Sequence, residues 1–250
     1  MVIETFVPGK EATDAFLPLE NMVKDRDVGK SYADMIRYRL KGSAAKECED
    51  TYFVAHENGK GLCRLWMGWG KHPFAVGNWG NFFTAEEARG RGIGKEVLNF
   101  WYKDLKERGD LPLALFCSAA TEELTSLYAR YGWRCADEGA KKGRLYLPLG
   151  NSPEKFEDFC KEYYLPADCL FQKEATVGYR HEIDLLLKFA LKNKGLPFGF
   201  EEVNGIEEIL LYSPRRAHLL FTKKGKCAGW SLDGKNQIYP EYEKTPIVKE

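Results

Sequence analysis

The spacing of hydrophobic and polar positions changes several times along the chain, and each change marks an element. Residues 2–6 alternate as a strand that closes at Pro8-Gly9. Over residues 11–25, Phe16, Leu19 and Val23 fall on one stripe, which predicts a helix that Pro18 breaks or kinks. Tyr32, Met35, Ile36 and Leu40 repeat that spacing in a second helix, with Ser31 as its N-cap. The period then falls to two. Residues 52–56, a turn at Glu57-Asn58-Gly59-Lys60 and residues 61–69 form a hairpin. A turn over residues 70–73 leads into a further strand, residues 75–84.

That strand ends in Phe82-Phe83-Thr84 and runs into glycines at alternate positions, Gly90, Gly92 and Gly94. A helix follows over residues 95–108, with Val97, Leu98 and Trp101 on one face. A strand, a glycine turn and a helix start make an anion site. The first N–H groups of a helix lack internal partners, the dipole favours negative charge, and glycine admits a ligand close to the backbone. Arg89, Arg91 and Lys95 add positive charge, and the combination fits a pyrophosphate. A Walker A loop would need glycine at 89 and Ser or Thr at 96, where Arg89 and Glu96 stand. A dinucleotide fingerprint starting at Gly90 would need glycine at 95, where Lys95 stands.

The remaining pattern, Arg89-x-x-Gly92-x-Gly94, resembles the signature of the GNAT acetyltransferase superfamily. Further along, a nearly continuous apolar strand at residues 113–117 suits burial on both faces and forms a parallel crossover with the strand before the glycine turn. Thr121 can cap the next helix and Gly132 can end it. In that helix Leu127, Tyr128, Gly132 and Trp133 match a second GNAT pattern in register, whereas Thr121 stands where the family has Asn and Leu124 where it has Ala. Strands at residues 133–137 and 144–149 complete a mixed sheet.

The resemblance covers residues 1–150. It implies an α/β, mixed-sheet, acyl-CoA N-acyltransferase fold and an N-acetyltransferase that moves acetyl from acetyl-CoA directly to a primary amine. The acceptor would be a small molecule or a protein. By the same resemblance, Phe83, Thr84, Arg89, Gly90, Arg91, Gly92, Ile93, Gly94, Lys95 and Thr121 bind the coenzyme, with backbone N–H groups near Phe83 and Thr84 polarising the thioester carbonyl. The resemblance also implies that Tyr128 is the acid that protonates the departing thiolate. An amine with pKa near ~10.4 must also lose a proton, and the fourth strand, AVGNWGNFFT, carries no carboxylate to take it. Glu86, Glu87, His56 and His72 are candidate bases beside simple release to water. Trp66, Trp69, Phe74 and Trp79 read first as strand core and second as an acceptor surface.

Composition narrows the remaining classes. Lys plus Arg and Asp plus Glu each number 37 in 250 residues, and no basic tract suits nucleic acid. The seven cysteines form no C-x-x-C pair and read as the reduced thiols of a cytoplasmic protein; no metal site is expected. MVIETFVPGK lacks the character of a signal peptide and no apolar run reaches ~18 residues, so a soluble chain is expected, with oligomerisation left open.

Residues 151–250 outrun the family pattern and predict a smaller α+β unit. Ser152 and Pro153 open a helix bearing Phe156, Phe159, Cys160 and Tyr163, and a longer helix spans residues 179–193 up to Gly195. Strands are expected at 207–212, 217–222 and 227–232, with 239–250 as a tail. The aromatic helix needs a second surface, and the nearest is the first domain, where this segment would border the acceptor cleft. The competing reading is a non-catalytic GNAT-fold module that holds an acyl-CoA as sensor or scaffold.

Overall fold

The computed structural model describes residues 1–10, 14–24, 30–191, 209–210 and 214–249. Its first sheet has seven strands: β1 (Val2–Phe6), β2 (Cys48–Glu57), β3 (Lys60–Gly70), β4 (Gly77–Thr84), β5 (Ala114–Ala119), β6 (Arg134–Cys135) and β7 (Gly143–Pro148). They lie in the order β1-β2-β3-β4-β5-β7-β6. The β2–β3 hairpin turns at Asn58 and Gly59, both with positive φ (50° and 74°), the backbone of a two-residue turn matched to strand twist. The β4–β5 pair is parallel and its neighbours are antiparallel.

Helices cover both faces. On one side lie α3 (Ile93–Glu107) and α4 (Glu122–Ala129); Val97, Leu98 and Trp101 of α3 pack with Leu65, Met67, Trp79 and Leu115 of the sheet. The other side receives α1 (Phe16–Asn21) and α2 (Lys30–Leu40) over Phe6, Tyr52 and Trp66. Beside them sit α5 (Phe156–Tyr163), α6 (Arg180–Asp184, continuing as a π-wound turn Leu185–Ala190) and the second sheet. That sheet is β8 (Leu170–Glu174), β9 (Ala217–Thr222), β10 (Cys227–Leu232), β11 (Lys235–Ile238) and β12 (Ile247–Lys249), in the order β11-β10-β9-β8-β12.

One core joins the two sheets. Val76, Ala114, Phe116 and Tyr146 of the first pack with Phe159, Tyr163, Phe189 and Trp230 of the C-terminal part. Phe116 lies 4.9 Å from Phe189 and 6.0 Å from Phe159, centroid to centroid, so the aromatic face of α5 meets the first sheet. Arg144 of β7 donates to the carbonyls of Lys188 (2.7 Å) and Phe189 (2.9 Å), tying α6 to the first sheet.

Several sequence expectations are corrected. Pro18 lies in the first turn of α1, where its missing N–H costs nothing, and does not break it. Ser31 falls inside α2. Lys155 occupies the cap position of α5, while the Ser152 hydroxyl donates to the Leu113 carbonyl at 2.7 Å. The strand expected at 133–137 shortens to Arg134–Cys135. Among the described residues the C-terminal sheet has five strands, and the expected tail carries β12, parallel to β8, and the fully buried Tyr242. The end of the predicted 179–193 helix, Gly195 and most of the 207–212 strand lie outside the described residues; 209–210 are helical.

Candidate functional site

The site begins where two parallel strands part. β4 and β5 pair only at Gly77–Leu115 and Asn78–Phe116, and beyond them the strands diverge into a fork. The cause is local to β4. Its register against β3 shifts between Arg64 and Trp66, and Asn81 takes a φ of 52°, a bulge that bends one arm away. Past the bulge, Ala85 donates to the Leu62 carbonyl, so antiparallel alternation turns the Phe83 amide toward β3 and the Thr84 amide toward the fork. Of these two expected donors, the Thr84 amide is thus the one that faces the gap.

The glycine turn stands at the mouth of the fork. Gly92 is the N-cap of α3 in the left-handed region (φ 79°), and Gly90 shares that conformation (φ 74°). A Cβ added to either would meet no atom within 4 Å, so the space over this backbone is open. Within α3 the first amides to find acceptors are those of Lys95 (3.0 Å) and Glu96 (3.2 Å), both on the Gly92 carbonyl. The amides of Ile93 and Gly94 precede them and have no intrahelical partner. Gly94 has a different role: a Cβ there would stand 3.2 Å from the Phe82 ring and the Thr84 hydroxyl, so glycine lets α3 start tight against β4.

Arg89, Arg91 and Lys95 are exposed around this point. Arg89 Nε donates to the Thr84 carbonyl (3.3 Å), and Arg91 is 3.8 Å from Glu57. An open, amide-lined turn with cations around it has the chemistry that a phosphate-bearing anion requires. Thr121, at the tip of the other arm, caps α4 by accepting from the Leu124 amide at 3.3 Å.

Tyr128 sits on α4 at the fork, 5% exposed, with its ring 4.9 Å from Trp79 and 6.4 Å from Phe82. Burial, with Cys117 nearby, pushes its phenol above the ordinary value. Like any phenol it carries its proton at neutral pH, and burial makes that proton harder to release.

The candidate bases are spread elsewhere. His56 is 2.8 Å from Glu4 across the β1–β2 pair. His72 stacks on Tyr179 at 4.4 Å and faces Glu182. Glu86 and Glu87 are exposed, and Glu87 pairs with Lys60 at 2.7 Å. Of the four aromatics, Trp66, Trp69 and Trp79 are buried in the cores and Phe74 is exposed.

Sequence reasoning missed a buried polar group behind the fork. Arg180, His181, Glu182 and Asp184 of α6 are all at most 5% exposed. His181 and Arg180 meet Asn78, and Arg180 pairs with Asp184 at 2.8 Å. Nearby, Arg39 Nη1 donates to both carboxylate oxygens of the buried Asp50 (2.7 and 3.0 Å), and Asp50 Oδ1 also accepts the Trp66 indole N–H. The available signal was the density of ionisable residues in Arg180-His-Glu-Ile-Asp184 beside an apolar run.

Residues 48–135, from β2 to β6, match the acetyltransferase (GNAT) domain family, and this stretch contains the fork, the glycine turn and Tyr128. The chain carries a GNAT domain, the domain of an acyltransferase, with a further C-terminal segment that the match does not reach. It is similar to an acyl-CoA N-acyltransferase from Pseudomonas aeruginosa (16% identity, TM-score 0.42, covering 60% of this chain and 99% of that one). It is also similar to a GNAT family acetyltransferase from Brucella melitensis in complex with acetyl-CoA (16%, 0.41, 62% and 92%) and to Escherichia coli ElaA (14%, 0.42, 58% and 97%). No curated protein matches the sequence.

Proposed function

We propose that this protein is an N-acetyltransferase that moves an acetyl group from acetyl-CoA directly to a primary amine. The observation that carries the reading is the fork between β4 and β5, bulged at Asn81, with the open glycine turn at its mouth. Acetyl-CoA would supply the activated acyl group as a thioester. The amides at Gly92, Ile93 and Gly94, with Arg89 and Lys95, would hold its pyrophosphate. The Thr84 amide faces the gap and is available to the pantetheine arm or the thioester carbonyl. Tyr128 would give its phenolic proton to the thiolate as the carbon–sulfur bond breaks, and recover one from solvent. The proton lost by the amine goes to water, since β4 offers no carboxylate.

That missing carboxylate also favours a second reading, a module that binds acyl-CoA without turning it over. One experiment separates them. Acetyl-CoA is incubated with the protein and a panel of primary amines, and thiol release is followed together with the mass of the amine. Amine-dependent thiol release with a matching acetylated product supports the transferase. Tight coenzyme binding with no release above the uncatalysed rate supports the module.

A further inference from the structure

The C-terminal segment brings a hydrogen-bond acceptor to the floor of the fork. Asn78 makes the last ladder pair before β4 and β5 part. Its Oδ1 receives Arg180 Nη1 at 3.2 Å and lies 2.6 Å from His181 Nδ1. A guanidinium only donates, so the shared oxygen is an acceptor and His181 Nδ1 carries the proton. The ring is held neutral by burial first, then by the charges of Arg39 and Arg180 and by His72. Its other nitrogen, Nε2, therefore presents a lone pair; it is fully buried and has no hydrogen-bond partner among the described residues. Leaving a buried polar atom unmatched is costly, which points to a partner that arrives with a ligand.

A second observation supplies the room. Gly80 is two residues along β4 from Asn78 and so shares its face of the sheet. It is half-buried, yet a Cβ there would meet nothing within 4 Å. Its cross-strand neighbour is Trp66, whose ring lies 5.8 Å from that of His181. An aromatic ring, an open backbone position and an unmatched acceptor thus lie on one face of the sheet, along the strand that forms one arm of the fork.

We infer that the acceptor amine is seated over Gly80 beside Trp66 and donates its N–H to His181 Nε2. The inference rests on the transferase reading and deepens it. No proton passes to His181; it orients the nitrogen lone pair toward the acyl carbon. The residue that sets acceptor choice therefore comes from a segment outside the GNAT match.

The test uses the full chain and a panel of putrescine, L-lysine, phenethylamine and a peptide with a free N-terminus. For whichever amine the wild type acetylates, His181→Asn keeps a donor near Asn78 but removes the Nε2 acceptor, and Gly80→Leu fills the open floor. Each is expected to raise the KM for the amine about tenfold or more while calorimetric acetyl-CoA affinity stays within twofold. Should His181→Asn fail to fold, Gly80→Leu carries the test alone. An amine KM within twofold of wild type in a folded variant overturns the inference and leaves the transferase reading standing. A wild type that acetylates none of the panel overturns both.

Discussion

Replacing Phe159 by Ala tests whether the C-terminal segment and the GNAT domain share one core. Phe159 is 2% exposed, and its ring lies 5.3 Å from Tyr146 of β7, 6.0 Å from Phe116 of β5 and 5.5 Å from Tyr163. The first two belong to the first sheet, so the cavity would open at the junction of the two parts. Truncating a buried Phe to Ala costs about 3–5 kcal/mol. For a chain of this size each kcal/mol lowers the melting temperature by about 2–4 °C, so a fall of about 6–20 °C is expected. Thermal denaturation gives the shift, and native-state hydrogen exchange gives its distribution. Amides of β5 and of β10 should lose protection together. A loss under about 1 kcal/mol, or one confined to β10 while β5 keeps its protection, would refute the shared core.

Two further outcomes follow from individual side chains. Tyr128→Phe should lower turnover by ~10²–10⁴ with acetyl-CoA affinity nearly unchanged, measured by thiol release and calorimetry; a loss below about threefold would make the phenol a packing group only. Burial pulls the His72 pKa down, but Glu182, with the Pro73 and Gly178 carbonyls, outweighs it and leaves the value above 6.5. That contribution to stability is complete below 6.5 and is lost as pH rises through the raised value, so His72→Gln should flatten the denaturant midpoint over that range.

The parts of the molecule legible in the sequence are those whose cause is local. Asn58-Gly59 announces its turn, Thr121 and Gly132 bound α4, and the glycines at 90, 92 and 94 mark the helix start, because each is demanded by backbone geometry within a few residues. What escaped depends on distant chain. Ile247–Lys249 is too short to read as a strand and exists because β8 offers it an edge. Arg180, His181 and Asp184 look like a solvated helix face, and become a buried network only because two sheets close over α6. The aromatics of β3 and β4 alternate as any strand core does. Which of them border the fork is decided by the bulge at Asn81, for which the sequence has no mark beyond an asparagine between apolar neighbours.

Calorimetric titration of acetyl-CoA into the wild type and into Gly92→Val tests the coenzyme site most directly. Gly92 has positive φ and open space above it, so valine both strains the turn and fills the approach to its amides. The wild type should bind and the folded variant should lose affinity at least tenfold. A folded Gly92→Val protein that binds acetyl-CoA as tightly as the wild type would contradict the assignment of the glycine turn.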